Sequence, residues 1–98
     1  MRIIWSPLAV ERISEISDYI AEDNPNASIK WLESVFEVIK QLKDYPESGR
    51  VVPELGKPHF REIIHGHYRI IYKIHQGDVF ILTVRHIKQI WRLGEMKQ

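Results

Sequence analysis

The 98 residues hold 44% hydrophobic and 28% charged side chains at a net charge of +1, which is typical of one folded domain over residues 1–98 and excludes a disordered chain. The absence of cysteine excludes disulfides, a thiol nucleophile and thiolate metal or iron–sulfur sites. No uncharged apolar run approaches the ~18–20 residues that cross a bilayer, so we expect a soluble, cytoplasmic protein without membrane contact.

A short strand and a helix open the chain. Residues 2–5 are rich in β-branched and aromatic side chains, as strands are. Ser6-Pro7 predicts a helix start, because serine caps a helix and proline in the first turn loses no hydrogen bond. Apolar side chains recur at helical spacing through residues 7–22, which predicts an amphipathic helix. These side chains are Ala9, Ile13, Ile16 and Ile20.

A second helix follows almost at once. Asn24-Pro25 repeats the cap-and-proline signal, and Tyr45-Pro46 stops the helix. Its apolar stripe consists of Leu32, Val35, Phe36, Ile39 and Leu42. Because the connector Asp23-Asn24 is very short, we predict an antiparallel helical hairpin whose apolar face needs a sheet to cover it. Residues 45–58 are rich in proline and glycine and predict an irregular loop.

Three strands complete the chain. Residues 59–64, 68–75 and 79–86 are rich in Ile, Val, Phe and Tyr. Glycine-containing turns at His65-Gly66-His67 and Gln76-Gly77-Asp78 separate them, so they form two consecutive hairpins. The predicted fold is therefore α+β with the order β-α-α-β-β-β, in which the helical hairpin packs on one face of a small antiparallel sheet. The opposite face is expected to be partly open.

Hairpin register predicts which polar side chains share that open face. Two-residue turns near Gly66 and Gly77 pair odd-numbered with even-numbered residues. Glu62, Arg69 and His86 then lie together. A three-residue bulged turn in place of a two-residue turn would break this alignment.

The trio Glu62, Arg69 and His86 has two interpretations. A carboxylate, a guanidinium and an imidazole can serve as base, charge stabiliser and acid in phosphodiester cleavage. Alternatively, Glu62 and Arg69 form a cross-strand ion pair and His86 is a solvated strand-end histidine. We therefore name these residues as catalytic candidates only for the case that the protein is a nuclease.

Other residues suggest no cofactor. His65 and His67 lie at a turn without a nearby carboxylate to complete a metal site, so we predict none. The tryptophans Trp5, Trp31 and Trp91 are expected to pack in the core or against a partner. Arg50 either solvates its loop or anchors backbone carbonyls.

Charge is distributed unevenly along the chain. Residues 1–48 carry nine acidic and five basic side chains, whereas residues 49–98 carry four acidic and nine basic ones. The C-terminal half can therefore present a positive face to a polyanion or to an acidic partner.

Several short motifs, in this order and spacing, closely resemble the ParE/RelE superfamily of bacterial toxins. They are Trp5-Ser6-Pro7, Asn24-Pro25-Asn26-Ala27, Tyr45-Pro46-Glu47-Ser48-Gly49-Arg50, Arg61-Glu62-Ile63, Tyr68-Arg69-Ile70-Ile71-Tyr72 and Val84-Arg85-His86. The resemblance covers essentially the whole chain. It implies the β-α-α-β-β-β fold and the toxin role of a type II toxin–antitoxin system, in which a cognate antitoxin wraps around the toxin and neutralises it.

Members of the superfamily differ in target. The resemblance implies either a ParE-like protein that poisons DNA gyrase without being a nuclease, or a RelE-like endoribonuclease that cuts mRNA on the ribosome. The Pro-Glu-Ser-Gly-Arg loop and the Tyr-Arg-Ile-Ile-Tyr strand look more like the ParE branch. No tyrosine follows Tyr72, which departs from one RelE-like nuclease mechanism. Another uses Glu, Arg and His, for which Glu54 or Glu62, Arg69 and His86 are the matches.

Overall fold

Two helices lie against one face of a mixed sheet in the computed structural model, which describes residues 1–89. Its elements are β1 (Ile3–Trp5), α1 (Pro7–Asp23), α2 (Pro25–Lys40), a 3₁₀ turn (Gln41–Lys43), β2 (Arg50–Val51), β3 (Phe60–His65), β4 (Tyr68–His75) and β5 (Asp78–His86). The predicted order of elements is confirmed, and β2 is a short addition inside the predicted loop. Trp91 lies outside the described residues.

Both helices begin with the predicted caps. The Oγ of Ser6 accepts the backbone N–H of Ala9 at 3.0 Å, and the Oδ1 of Asn24 accepts that of Ala27 at 3.1 Å. Ser28 on α2 hydrogen-bonds α1 through the carbonyl of Ser17 at 2.7 Å, which fixes the pair of helices. Within residues 1–89, no helix has both the length and the apolar character that crossing a bilayer requires.

The main core lies between the helices and the sheet. Its fully buried members are Ala9, Val35, Leu42, Ile70, Tyr72, Val79 and Ile81. They come from the predicted apolar stripes of both helices and from the inward-facing side chains of β4 and β5. Burying a large apolar side chain contributes roughly 1.5–3 kcal/mol, so this layer holds the helical hairpin on the sheet.

The sheet has the strand order β1-β5-β4-β3-β2. β3, β4 and β5 form the two predicted antiparallel hairpins. β1, however, pairs with β5 in parallel, so the sheet is mixed rather than antiparallel throughout. Turn signals specify only the directions of strands joined by short connections, and β1 reaches β5 across the whole fold.

The face of the sheet opposite the helices, here called the outer face, carries a second apolar cluster. Val52, Ile71 and Leu82 are buried there, with Leu55 and Phe60 among the partly buried side chains packed on them. Residues 52–56, here called the covering segment, therefore follow the edge strand β2 and lie over the middle of this face. The prediction of a partly open face holds only for the parts beyond that segment.

β5 contains one extra residue relative to β4. Tyr72 pairs with Ile81 on the turn side, whereas Ile71 pairs with Thr83, which leaves Leu82 as the extra residue of a β-bulge. Beyond the bulge the alternation of side chains shifts by one. Every β5 residue after Leu82 consequently faces the side opposite to the one that uniform alternation predicts.

Candidate functional site

Glu62 and Arg69 lie together on the outer face, as predicted. The two-residue turn at Gly66 and His67 pairs Ile64 with Arg69 across β3 and β4. Glu62, two residues before Ile64, therefore shares their face. The Arg69 Nε donates to the Glu62 Oε1 at 2.7 Å.

A second carboxylate also holds the Arg69 guanidinium. The terminal nitrogens Nη1 and Nη2 each donate to a different oxygen of Glu54 at 2.7 Å. Two parallel bonds between a planar guanidinium and a carboxylate form the strongest common ion-pair geometry. Glu54 belongs to the covering segment, so this pair fastens that segment to β4.

Arg50 extends the cluster to four alternating charges. Its Nε donates to the Glu62 Oε2 at 2.6 Å, so each oxygen of Glu62 faces an arginine. Glu62 is 1% exposed and Arg69 6% exposed, and charges buried to this degree are stable only when paired. We call Arg50, Glu54, Glu62 and Arg69 the charge cluster.

The charge cluster also affects protonation. Hydrogen bonding to Glu54, and then to Glu62, raises the pKa of Arg69 above its ordinary value although burial opposes this. The guanidinium therefore stays charged, and its Nε and both terminal nitrogens already contact carboxylate oxygens. A phosphate could reach this fork only by displacing a carboxylate.

The predicted grouping of His86 with Glu62 and Arg69 is wrong. His86 pairs with Tyr68 across β4 and β5, whereas Arg69 pairs with Arg85. Neighbouring residues of a strand point to opposite faces, so His86 and Arg69 lie on different sides of the sheet. The bulge at Leu82 is the cause, because register counted from the turn alone assumes unbroken alternation.

His86 instead packs among aromatic rings at the end of the sheet. Its ring stacks on His67 at 6.0 Å between centroids and meets Tyr68 edge-on at 5.6 Å. The Nδ1 of His86 accepts the backbone N–H of Lys88 at 3.1 Å, which leaves the ring proton on Nε2 in the neutral form. The imidazole therefore helps to order the turn that follows β5.

The loop before β2 is anchored through its backbone. The Tyr72 hydroxyl donates to the Pro46 carbonyl at 2.6 Å and accepts the Gly49 N–H at 3.0 Å. A Cβ on Gly49 would lie only 2.7 Å from that hydroxyl and from the Glu62 carbonyl oxygen, so only glycine fits. The arginine that binds loop carbonyls is Arg61, which donates to Gly49 at 2.9 Å.

An apolar groove lies on the helical side of the molecule. Trp5, Val10, Ile13 and Phe36 line it, with Trp5 and Phe36 in edge-to-face contact at 5.6 Å. Val10 is 55% exposed and Phe36 50% exposed. Large apolar side chains grouped in this way on a surface are typical of a protein interface.

His65 on β3 contacts a serine of α2. His65 Nε2 lies 2.8 Å from the Ser34 hydroxyl. Within residues 1–89, no three histidine, aspartate or glutamate side chains are arranged to hold a metal ion.

Comparison with known proteins identifies the family. Residues 3–91 match the family described as ParE toxin of type II toxin–antitoxin system, parDE. The chain belongs to this family. It is 38% identical over 92 residues to Y4kP of Sinorhizobium fredii strain NGR234, which bears a toxin name, covering 92% of each chain. It is 28% identical over 90 residues to toxin RelE2 of Caulobacter vibrioides, covering 91% of this chain and 98% of the relative.

A solved structure supports the fold of this ParE-family toxin. The structure titled chromosomal ParDE TA system from P. aeruginosa superposes with a TM-score of 0.74 at 19% identity, covering 90% of this chain and 97% of that one. The predicted resemblance is thus confirmed, because the chain belongs to the ParE toxin family of type II toxin–antitoxin systems.

Sequence reasoning missed two features of the toxin's charge cluster. Arg50 was expected to act within its own loop, but it pairs with Glu62 on β3. Glu54 was noted only as a family match, and its contact with Arg69 comes from the path of the covering segment. The available signal was that the proline-rich loop of residues 45–58 carries an arginine and a carboxylate of its own, Arg50 and Glu54, but the path of that loop across the sheet was not predictable.

Proposed function

We propose that this ParE-family toxin inhibits DNA gyrase in the cytoplasm as a non-catalytic protein ligand. The observation that carries this proposal is the occupation of the Arg69 guanidinium by Glu54 and Glu62. An arginine engaged in this way stabilises the fold and is not available to a phosphodiester. The ParE family match over residues 3–91 supports gyrase as the target, because ParE-like toxins act there.

The charge of the chain supports the same choice. Its pI near 8.1 and its net charge of +1 are low for a protein that docks on ribosomal RNA, where many phosphate contacts are the rule. A protein target makes no such demand. The alternative is a ribosome-dependent mRNA endoribonuclease, and the form of it that uses Glu, Arg and His needs Arg69 free and His86 beside it.

We also propose that the apolar groove receives the cognate antitoxin. Val10 and Phe36 are half exposed, and an amphipathic helix could bury its apolar face against them. The short β1 and β2 edges offer a second mode, in which an extended antitoxin segment adds a strand. Binding in either mode would lower the exposed apolar area of the free toxin.

Purified toxin tests the target directly. Added to a gyrase supercoiling reaction, it is expected to block supercoiling or to accumulate cleaved DNA complexes, and addition of the antitoxin should reverse the effect. In a parallel translation reaction, ribosome-bound mRNA should remain intact. Codon-positioned mRNA cuts without any effect on gyrase would assign the toxin to the ribonuclease class instead.

Growth provides the cellular control. The induced toxin should arrest growth, and co-expression of the neighbouring antitoxin should restore it. Normal growth at verified soluble expression would reject the toxin activity itself, independently of the target.

A further inference from the structure

A row of aromatic and cationic side chains crosses the part of the outer face that the covering segment leaves uncovered. Phe60 on β3 pairs with Lys73 on β4, Lys73 pairs with Phe80 on β5, and Phe80 pairs with Ile4 on β1. These neighbours lie on adjacent strands about 4.8 Å apart. All four side chains are partly exposed, and we call them the outer-face row.

Lys73 is the centre of the outer-face row. Its ammonium lies 5.3 Å from the centroid of the Phe80 ring, in cation–π geometry. Among residues 1–89, no carboxylate lies within ion-pair distance of Lys73. The carboxylates nearest to it in the sheet are already paired with arginines: Glu62 with Arg69, and Asp78 with Arg2 at 2.8 Å.

Charge separates the two layers of the molecule. α1 carries five acidic side chains and one basic side chain, whereas β3, β4 and β5 together carry four basic and two acidic ones. On the outer face itself these strands place three basic side chains and two acidic ones, which are Arg69, Lys73, Arg85, Glu62 and Asp78, so their net charge there is positive. A partner bound there must offer negative charge, together with apolar surface for the phenylalanine rings.

We propose that the outer-face row binds an extended polypeptide segment in which a carboxylate side chain is flanked by apolar ones. The carboxylate pairs with Lys73, and the apolar side chains two residues to each side contact Phe60 and Phe80. Alternate residues of an extended chain point the same way about 6.6–7 Å apart, whereas neighbouring strands are about 4.8 Å apart. With the carboxylate at Lys73, one flanking side chain therefore lies just outside Phe60 and the other lies between Phe80 and Ile4.

A single-stranded nucleic acid fits the outer-face row less well. Base stacking needs an open aromatic face, and the Lys73 ammonium already lies over Phe80. Phe60 and Phe80 are also partly buried against Val52, Ile71 and Leu82, which limits their exposed ring area. A peptide carboxylate flanked by apolar side chains can pair with the Lys73 ammonium while its neighbours contact the ring edges of Phe60 and Phe80.

Nuclear magnetic resonance with synthetic peptides tests this proposal. The probe peptide has leucine, glutamate and leucine at alternate positions with serine between them, and the matched peptide has glutamine for glutamate. The glutamate peptide should shift the backbone amide signals of Phe60, Lys73 and Phe80, and the glutamine peptide should bind about tenfold more weakly. An absence of shifts, or shifts centred on another surface, would overturn the proposal.

Lys73→Glu and Lys30→Glu form a matched pair of variants. Both change the net charge equally, but Lys30 is an exposed residue of α2 on the opposite side of the molecule. Lys73→Glu should weaken peptide binding about tenfold or more, and Lys30→Glu should leave it unchanged. Since Lys73 is partly exposed, the variant should fold, which its thermal melt checks.

Two further outcomes would contradict the proposal. If an oligothymidylate shifts the row more strongly than the glutamate peptide does, the surface belongs to nucleic acid. If the same amide signals shift when only the toxin concentration is raised, the outer-face row binds a second copy of the toxin.

Discussion

Arg69 and Glu54 meet through two parallel nitrogen–oxygen contacts of 2.7 Å, one from each terminal nitrogen of the guanidinium. This pair joins the covering segment to the middle of the sheet. Arg69 is 6% exposed, and its other contact is the fully buried Glu62. The arginine of the Tyr-Arg-Ile-Ile-Tyr motif is therefore part of the protein's internal architecture.

Removal of the Arg69 guanidinium should destabilise the fold. Arg69→Ala leaves Glu54 and Glu62 with one cation fewer, and breaking a buried ion pair from one side costs about 3 kcal/mol in free energy of unfolding. Urea denaturation measures this loss. Arg12→Ala is the control, because the Arg12–Glu15 pair is solvent-accessible and such pairs contribute about 0–0.5 kcal/mol. Equal effects of the two substitutions would contradict a stabilising charge cluster.

Tyr72 should make stability fall at alkaline pH. Burial raises the pKa of Tyr72 above its ordinary value of 10.0. The phenolic proton is therefore released at a lower pH in the unfolded chain than in the folded protein. The free energy of unfolding is expected to fall as the pH rises above 10, and to stop falling once the pH exceeds the pKa of the folded state. Tyr72→Phe should flatten this decline in urea titrations between pH 9 and pH 11. Tyr45→Phe, at an exposed position, should leave it unchanged.

The same Tyr72→Phe variant should also be less stable at neutral pH. It leaves the Pro46 carbonyl and the Gly49 N–H without their partner, which costs about 1–3 kcal/mol. A variant as stable as the wild type at pH 7 would show that water or a shifted loop replaces the hydroxyl.

Local signals predicted most of the fold. Ser6-Pro7 and Asn24-Pro25 located both helix starts because capping depends on residues close in sequence. The pairing of Glu62 with Arg69 was predictable for the same reason, since a tight turn sets the register of the strands beside it.

Two features, the orientation of His86 and the position of Glu54, could not be predicted because they depend on contacts between residues far apart in sequence. Leu82, the extra residue of the bulge, packs with Val52 and Ile71 on the outer face, and no turn residue signals such an insertion. The bulge reversed the orientation of His86. The position of Glu54 likewise depends on how a long loop crosses the sheet.

Acidic substitutions in the apolar groove should weaken antitoxin binding. Val10→Asp or Phe36→Asp replaces a half-exposed apolar contact with a charge, and loss of about 2 kcal/mol corresponds to roughly 30-fold in Kd. Isothermal titration calorimetry with the cognate antitoxin measures this change. Tyr45→Asp is the control, because Tyr45 is 69% exposed and does not line the groove. Unchanged affinity in both groove variants would place the antitoxin elsewhere.

His86→Gln should leave toxicity intact. A nuclease that used His86 as its acid would lose roughly 10²–10⁴-fold in cleavage rate, since glutamine cannot transfer a proton near neutral pH. A gyrase inhibitor transfers no proton, and His86 lies on the face opposite Arg69, where it contacts His67 and Tyr68.

His67→Gln is the matched control, because it removes the other ring of the same stacked pair. Growth arrest by both variants should match that of the wild type at equal soluble expression, with thermal melts confirming that both proteins are folded. A folded His86→Gln protein that no longer arrests growth, beside a toxic His67→Gln protein, would contradict the non-catalytic interpretation and favour a histidine-dependent ribonuclease.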